Sequence, residues 1–225
     1  MQGIPLNERK RLGALLDDRP QTEVMAMIPQ FSQAETDNFV APPAQIPEAL
    51  GVLMFNMERG VNLPEIQEFL RDCPDIQPFD VILANELDDG CARSGNKNTA
   101  RELAQAFGLN YAWGLEFIEL VNDENAKGFH GNAVFSRWPI RRAGVIRLPE
   151  QYNWYFDRQK RIGGRLAVFA ELDVGGQPVG AVSIHLENRT HGEGRKAQMA
   201  AILEAVRKEL PDMPLILGGD LNTNT

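Results

Sequence analysis

Residues 51–90 read GVLMFNMERGVNLPEIQEFLRDCPDIQPFDVILANELDDG, and the succession of patterns within them decides the fold. Val52–Asn56 (VLMFN) is a short apolar run of the kind found in a strand buried on both faces. Pro64 follows where a helix can open, because proline's missing N–H and fixed φ suit the first turn. Ile66, Phe69, Leu70 and Cys73 then recur at the i, i+3, i+4, i+7 spacing of one helical face. Phe79–Ala84 (FDVILA) is a second apolar run. Buried strands alternating with amphipathic helices make a layered α/β domain.

The same grammar continues outward. Thr99 and Glu102 stand three apart as a capping box for a helix carrying Leu103, Ala104 and Phe107, and Gly108 stops it. Strand-like segments follow at Tyr111–Glu119 and Asn132–Ser136. Arg165–Asp173 and Pro178–Leu186 flank Gly175-Gly176, a hairpin signal that puts antiparallel pairing beside the buried strands. A second capping box, Thr190 with Glu193, predicts a helix with Met199, Ile202, Leu203, Val206 and Leu210 on one stripe. Pro211 ends it, and Pro214–Gly219 (PLILGG) is a last buried strand. Residues 1–47 hold six of the 14 prolines and little periodicity beyond a short helix near Leu6–Leu16. They are expected to form an N-terminal arm or linker, with residues 48–225 as the folded domain.

Composition narrows the classes. The chain has 225 residues, 43% hydrophobic and 24% charged, with no apolar run long enough to span a bilayer. The two cysteines, Cys73 and Cys91, cannot build a disulfide framework or a four-cysteine zinc site. With no apolar leader at the start, the expected location is cytoplasmic. A net charge of −8 argues against a surface that grips nucleic acid everywhere, while leaving room for a local basic groove.

Polar residues gather where the apolar runs end: Asn56 and Glu58; Glu86, Asp88 and Asp89; His185, Glu187 and Asn188; Asp220 and Asn222. Each alone is a common turn former. Four such ends together mark the crevice where an α/β sheet binds ligand. Their carboxylate and amide oxygens suit a hard cation that keeps water and shares a substrate phosphate. His130, His185 and His191 are the only histidines, and the spacing of the last two turns them apart, which disfavours zinc.

Five segments, MFNMERG (54–60), NELDDG (85–90), GNAVFSRWPI (131–140), VSIHLENRT (182–190) and GGDLNTNT (218–225), resemble in order and spacing the endonuclease/exonuclease/phosphatase superfamily, which has the deoxyribonuclease-I-like fold. The resemblance implies an α/β fold, a layered α/β sandwich with mixed β-sheets flanked by helices, and makes residues 48–225 its catalytic domain. It implies a divalent-metal-dependent phosphoesterase that hydrolyses a phosphodiester or phosphomonoester by in-line attack of water. Glu86 would be the main ligand of Mg2+ (or Mn2+), with Asn56 beside it. Asp220 would activate the water, Asn222 would donate to a phosphate oxygen and fix that carboxylate, and His185 would stabilise the phosphate's developing charge. Asn132 and Arg93 are candidates for substrate contact, and Glu58 and Asp88 are secondary metal candidates. The family pattern continues beyond the last strand to a further Asp and an Asp-His pair, so the fold is expected to be incomplete at the C-terminus of this chain. A non-catalytic or inactive truncated member, binding a phosphorylated ligand or a protein partner, is the alternative.

Residues 137–165 carry eight basic residues (Arg137, Arg141, Arg142, Arg147, Arg158, Lys160, Arg161, Arg165) against Glu150 and Asp157, together with Trp138, Tyr152, Trp154 and Tyr155. Interleaved charge and aromatics can track a phosphate backbone or meet an anionic headgroup. They can equally be a solvated hairpin with its aromatics in the core. The expected partner is a phosphate-ester substrate: nucleic acid, inositol phosphate or phospholipid headgroup.

Overall fold

Two mixed β-sheets lie face to face, with helices on both outer surfaces, in the computed structural model, which describes residues 1–223. In the first sheet, β1 (Ala34–Asp37), β4 (Asn110–Glu119), β5 (Phe129–Ser136), β3 (Val81–Asp89) and β2 (Val52–Arg59) lie in that order, and β7 (Arg161–Gly163) also pairs with β4. Only β2 and β3 run parallel there. The second sheet runs β10 (Leu215–Asp220), β9 (Gln177–His185), β8 (Leu166–Val174), β6 (Ile140–Arg147), with β9 and β10 parallel. The Gly175-Gly176 hairpin joins β8 to β9, both glycines having positive φ (59° and 91°) as a primed turn requires. No helix among the described residues is long and apolar enough to cross a membrane.

Strand alternation sorts side chains into three apolar layers. Val81 and Leu83 of β3, Ala112 of β4 and Val134 of β5 meet Leu166, Val168, Ala170 and Ala181 of the other sheet. Their neighbours Ile82, Ala84, Trp113 and Phe135 face α3 (Leu63–Asp72) and α4 (Thr99–Phe107), through Leu70, Leu103 and Ala104. On the far side, Ala167, Phe169, Val182 and Ile184 receive Ile202 and Val206 of α5 (Gly192–Glu209). Each fully buried Leu, Ile or Phe contributes about 1.5–3 kcal/mol, so the layers set the order of the strands.

Several expectations change in detail. The runs at 52–56 and 214–219 are edge strands rather than strands buried on both faces: Val52, Met54 and Leu215 are 40%, 51% and 46% exposed. Asn98, not Thr99, caps α4, its side chain accepting from the Arg101 N–H at 2.9 Å, while the Thr99 hydroxyl donates to the Asp88 carbonyl. His191 precedes α5 without a side-chain cap, so Thr190 and Glu193 form no capping box. The N-terminal segment is not an irregular arm throughout. It contains α1 (Leu6–Ala14), α2 (Gln21–Ala26) and β1, and Leu12, Leu16, Val24, Ile28 and Phe31 are buried in the same layer as α3 and α4.

At one end the two sheets are joined by polar bonds instead of apolar contacts. Asn85 of β3 is fully buried and reaches across to the second sheet. Its Nδ2 donates to the Ile184 carbonyl at 3.0 Å, and its Oδ1 accepts the Asp220 N–H at 2.8 Å. The Ser183 hydroxyl returns a bond to the Ala84 carbonyl at 3.0 Å. Gly219 makes this approach possible: at φ 136° a Cβ there would lie 2.1 Å from the Ile184 oxygen and 3.0 Å from Asn85 Oδ1. Asn85→Leu leaves the part-buried Asp220 N–H and the buried Ile184 carbonyl without this partner and is expected to cost about 2 kcal/mol. A thermal melt should fall by roughly 5 °C or more; an unchanged melting temperature would show that the bridge is dispensable.

Candidate active site

Both strands of the parallel pair lose regular register at the end where the sheets are bridged. In β2 the break lies between Asn56 and Arg59, and in β3 between Ala84 and Leu87, where Asn85 and Glu86 oppose the single residue Asn132 of β5. Bulges of this kind re-aim a side chain. Glu58, Arg59 and Glu86 have φ of 47°, 69° and 57°, and Asn222 has 49°, all in the left-handed region that side chains rarely adopt. Such strain persists only where surrounding bonds hold it. Here Asn132 Oδ1 accepts the Glu86 N–H at 3.1 Å, Asn56 Oδ1 accepts the Glu58 N–H at 3.0 Å, and Asp220 Oδ1 accepts the Asn222 N–H at 2.9 Å.

Three of the anticipated side chains are brought into one cluster. Asn56 Nδ2 donates to Glu86 Oε1 at 3.2 Å and to Asp220 Oδ2 at 3.0 Å, linking β2, β3 and β10. Burial alone would raise the Glu86 carboxyl. The neighbouring His130 and His185 and the Asn56 bond outweigh it and hold the group below its ordinary value.

Behind the cluster lies a buried chain of acids and bases. His185 is buried, its Nε2 3.9 Å from Asp220 Oδ2 and its Nδ1 3.2 Å from Glu116 Oε2. Arg165 Nη1 sits 3.1 Å from Glu116 Oε1 and 3.0 Å from both His185 ring nitrogens, with Glu187 3.4 Å from its Nε. Glu116 is wholly buried. That burial would raise its carboxyl, but His185 and Arg165 hold it far below the usual carboxylate range. His130 extends the chain, 3.8 Å from Glu116 and 2.8 Å from Asp88. Glu116 and Arg165 were not among the residues read from sequence as site candidates. A signal existed: a glutamate in the apolar strand YAWGLEFIE needs a buried cationic partner.

Other anticipated residues sit elsewhere or act differently. Arg93 is not brought to the cluster; it forks onto Asp88 at 2.7 and 2.8 Å and reaches Glu119 at 3.1 Å, beside a separate pocket lined by Cys91 and Asn125. These bonds consume Asp88, which is fully buried. Although burial opposes it, Arg93 and His130 pull its carboxyl down to about 2. Asn132 is fully buried beneath Glu86, and its Nδ2 has no partner among the described residues. The Asn222 side-chain amide donates to the Leu186 carbonyl at 2.8 Å, so its backbone N–H, not its side chain, steadies Asp220. The last two residues of the GGDLNTNT segment, Asn224 and Thr225, lie outside the described residues.

The basic stretch 137–165 does not form one groove. Arg147 is drawn inside, donating to the Phe31, Gly164 and Leu115 carbonyls. Arg141 and Arg142 pair with Asp173 and Glu171 on the second sheet. Trp138, Trp154 and Tyr155 are buried.

The converging oxygen donors are the Glu86 and Asp220 carboxylates; the Asn56 amide meets them through its Nδ2 N–H, and its Oδ1, which accepts the Glu58 N–H, is the atom it could offer a cation. That set fits a hard divalent cation held by one or two carboxylates, with water and substrate oxygen completing its shell. Among the described residues no group of three or more His, Cys, Asp or Glu side chains could hold a metal ion by itself. The bulge itself is testable: Asn132→Ala removes the acceptor of the Glu86 N–H, and that amide should exchange with solvent at least roughly tenfold faster. Unchanged exchange would mean that the left-handed turn holds itself.

A sequence model of the Endonuclease/Exonuclease/phosphatase family matches residues 55–224, which include all four strand-end clusters. No curated protein matches the chain. Among solved structures, an endonuclease/exonuclease/phosphatase from Beutenbergia cavernae DSM 12333 superposes with TM-score 0.56 at 23% identity, over 76% of this chain and 47% of that one. The human Nocturnin catalytic domain with bound sulfate gives 0.55 at 20% identity, over 87% of this chain and 69% of that one. A mannosyl-6-phosphatase from Bacteroides thetaiotaomicron VPI-5482 gives 0.52 at 16%, over 79% and 67%. The chain thus spans about half the length of the first of these structures, and at such identities the likeness concerns the fold. With the family match covering most of the sequence and the two-sheet fold agreeing, the chain belongs to the endonuclease/exonuclease/phosphatase family.

Proposed function

We propose that the protein hydrolyses a phosphate ester with the help of a divalent cation, Mg2+ or Mn2+. The observation that carries this reading is the meeting of Asn56, Glu86 and Asp220 at three strand ends, with His185 behind Asp220. Glu86 and Asn56 are the residues that would hold the cation. When bound, it would neutralise phosphate charge and stabilise the departing oxygen.

The remaining work falls to the chain's own groups. Asp220, steadied on one oxygen by Asn56 and on the other by the Asn222 N–H, would orient a water and accept its proton; those two bonds support the role. The water oxygen bonds to phosphorus in line with the ester bond that breaks, and the leaving alcohol takes up a proton. His185 is the donor to a phosphate oxygen, where charge develops. Glu116 and Arg165 fix its ring. Asn132 acts through Glu86, whose backbone it pins.

Hydrolysis of bis(p-nitrophenyl) phosphate and p-nitrophenyl phosphate with Mg2+ tests the reading. Turnover should vanish in EDTA and fall at least roughly 100-fold in Asp220→Asn. Full activity in EDTA, or in Asp220→Asn, would refute it. Glu116→Gln, which keeps the shape but drops the charge facing His185, should lower kcat roughly tenfold or more with little change in KM. A KM effect alone would make Glu116 a binding group instead.

A further inference from the structure

Beside Glu86 opens a pocket of about 310 Å³, floored by the buried Trp154 and lined by five arginines: Arg59, Arg158, Arg161, Arg165 and Arg189. Two carboxylates, Glu86 and Asp157, share the wall. The arginines divide into two kinds. Arg161 and Arg165 are buried and neutralised, at 2.9 Å from Glu119 and 3.1 Å from Glu116 respectively. The other three are not. Arg59 approaches Glu86 only to 3.9 Å, and its Nε is buried without a hydrogen-bond partner among the described residues. Arg189 is 58% exposed and only 4.0 Å from Asp157, whose carboxylate already accepts the Tyr152 hydroxyl and the Gln159 N–H. Arg158 is exposed, and no ion pair involving it occurs among the described residues.

Three under-compensated guanidinium groups converging from separate segments are an unusual arrangement in a chain of net charge −8. Guanidinium forks match phosphate oxygens in pairs, and a concave wall with an excess of cations over carboxylates concentrates an anion. The volume lies at the small end of ligand pockets, enough for a phosphorylated sugar-sized group. Resting on the phosphoesterase reading above, we infer that this pocket is a second phosphate subsite. Arg59, Arg158 and Arg189 grip another phosphate carried by the substrate, next to the one that reacts at Glu86 and Asp220. The substrate class is therefore a phosphate ester with at least two phosphate groups a sugar's width apart. A nucleotide unit and a phosphorylated inositol both have that chemistry.

Calorimetric titration of the full chain in Mg2+ tests this with paired probes: thymidine 3′,5′-bisphosphate against thymidine 5′-monophosphate, and inositol 1,4-bisphosphate against inositol 1-phosphate. In at least one pair the bisphosphate should bind roughly tenfold tighter or more, and the pair showing the larger ratio names the source. The preference should shrink with added salt and collapse to near unity in Arg158→Ala/Arg189→Ala. These side chains are exposed or rim groups, and a circular dichroism melt like that of the wild type confirms that the variant folds. Equal affinity within both pairs, or a preference that survives the double substitution, overturns the subsite. Turnover of bis(p-nitrophenyl) phosphate, which has a single phosphate, judges the phosphoesterase reading separately. Hydrolysis of that ester without any bisphosphate preference would sink the subsite alone; preference without hydrolysis would sink the enzymatic reading alone.

Discussion

The position of the cluster depends on a single buried amide. Asn85 leaves one sheet and closes on the other, accepting the backbone N–H of Asp220 and donating to Ile184. Because an unpaired buried amide is costly, both sheets must meet at this spacing and register or the bonds are lost. Its neighbour Glu86 inherits the consequence: with Asn85 turned to the second sheet, the bulge at 85–86 swings the Glu86 carboxylate to the strand end. Asn132 then secures the strained turn from the adjacent strand. The apolar layers decide which strands are neighbours, and the amide bridge decides how the ends of two of them face each other.

A second consequence is electrostatic. Removing Glu116, Asp88 and Glu187 from water would be prohibitive without compensation, and they are met by Arg165, just before β8, and Arg93, in the turn after β3. The result is an alternating series from Asp88 through His130, Glu116 and His185 to Asp220. Such a series fixes side chains more than it stabilises the fold, since desolvation offsets much of the pairing. Its rigidity is what the proposed in-line displacement would require, where reacting atoms must be held to a fraction of an ångström.

Much of this was legible in the sequence, in proportion to how local each signal is. The Gly175-Gly176 hairpin and the α3 and α5 segments follow from turn chemistry and 3.6-residue periodicity, although Phe69 and Leu203, expected on the inward stripes, are exposed. The order of polar strand ends was readable because each terminates an apolar run. What escaped depends on partners far along the chain. Apolar content does not distinguish the central β3 from the edge strands β2 and β10. β1, with the polar sequence AETD, gains its pairing from β4 rather than from any pattern of its own. Arg93 sits near the Glu86 motif in sequence, but Asp88 claims it, and within 137–165 Arg141, Arg142 and Arg147 are drawn away by partners on other elements while Arg158, Arg161 and Arg165 stay together beside Glu86. Glu116 and Arg165 are 49 residues apart and make sense only as a pair.

The bridge between the sheets, and not the proposed ligands alone, brings Asn56, Glu86 and Asp220 together, so a cation held there should depend on it. Electron paramagnetic resonance of Mn2+ bound to the wild type and to Asn85→Ala, at a temperature where both are folded by circular dichroism, addresses it directly. One Mn2+ per chain should bind, displaced by Mg2+ in the wild type and held at least roughly tenfold more weakly in the variant, although Asn85 is not itself a proposed ligand. Equal Mn2+ affinity in the two proteins would contradict it.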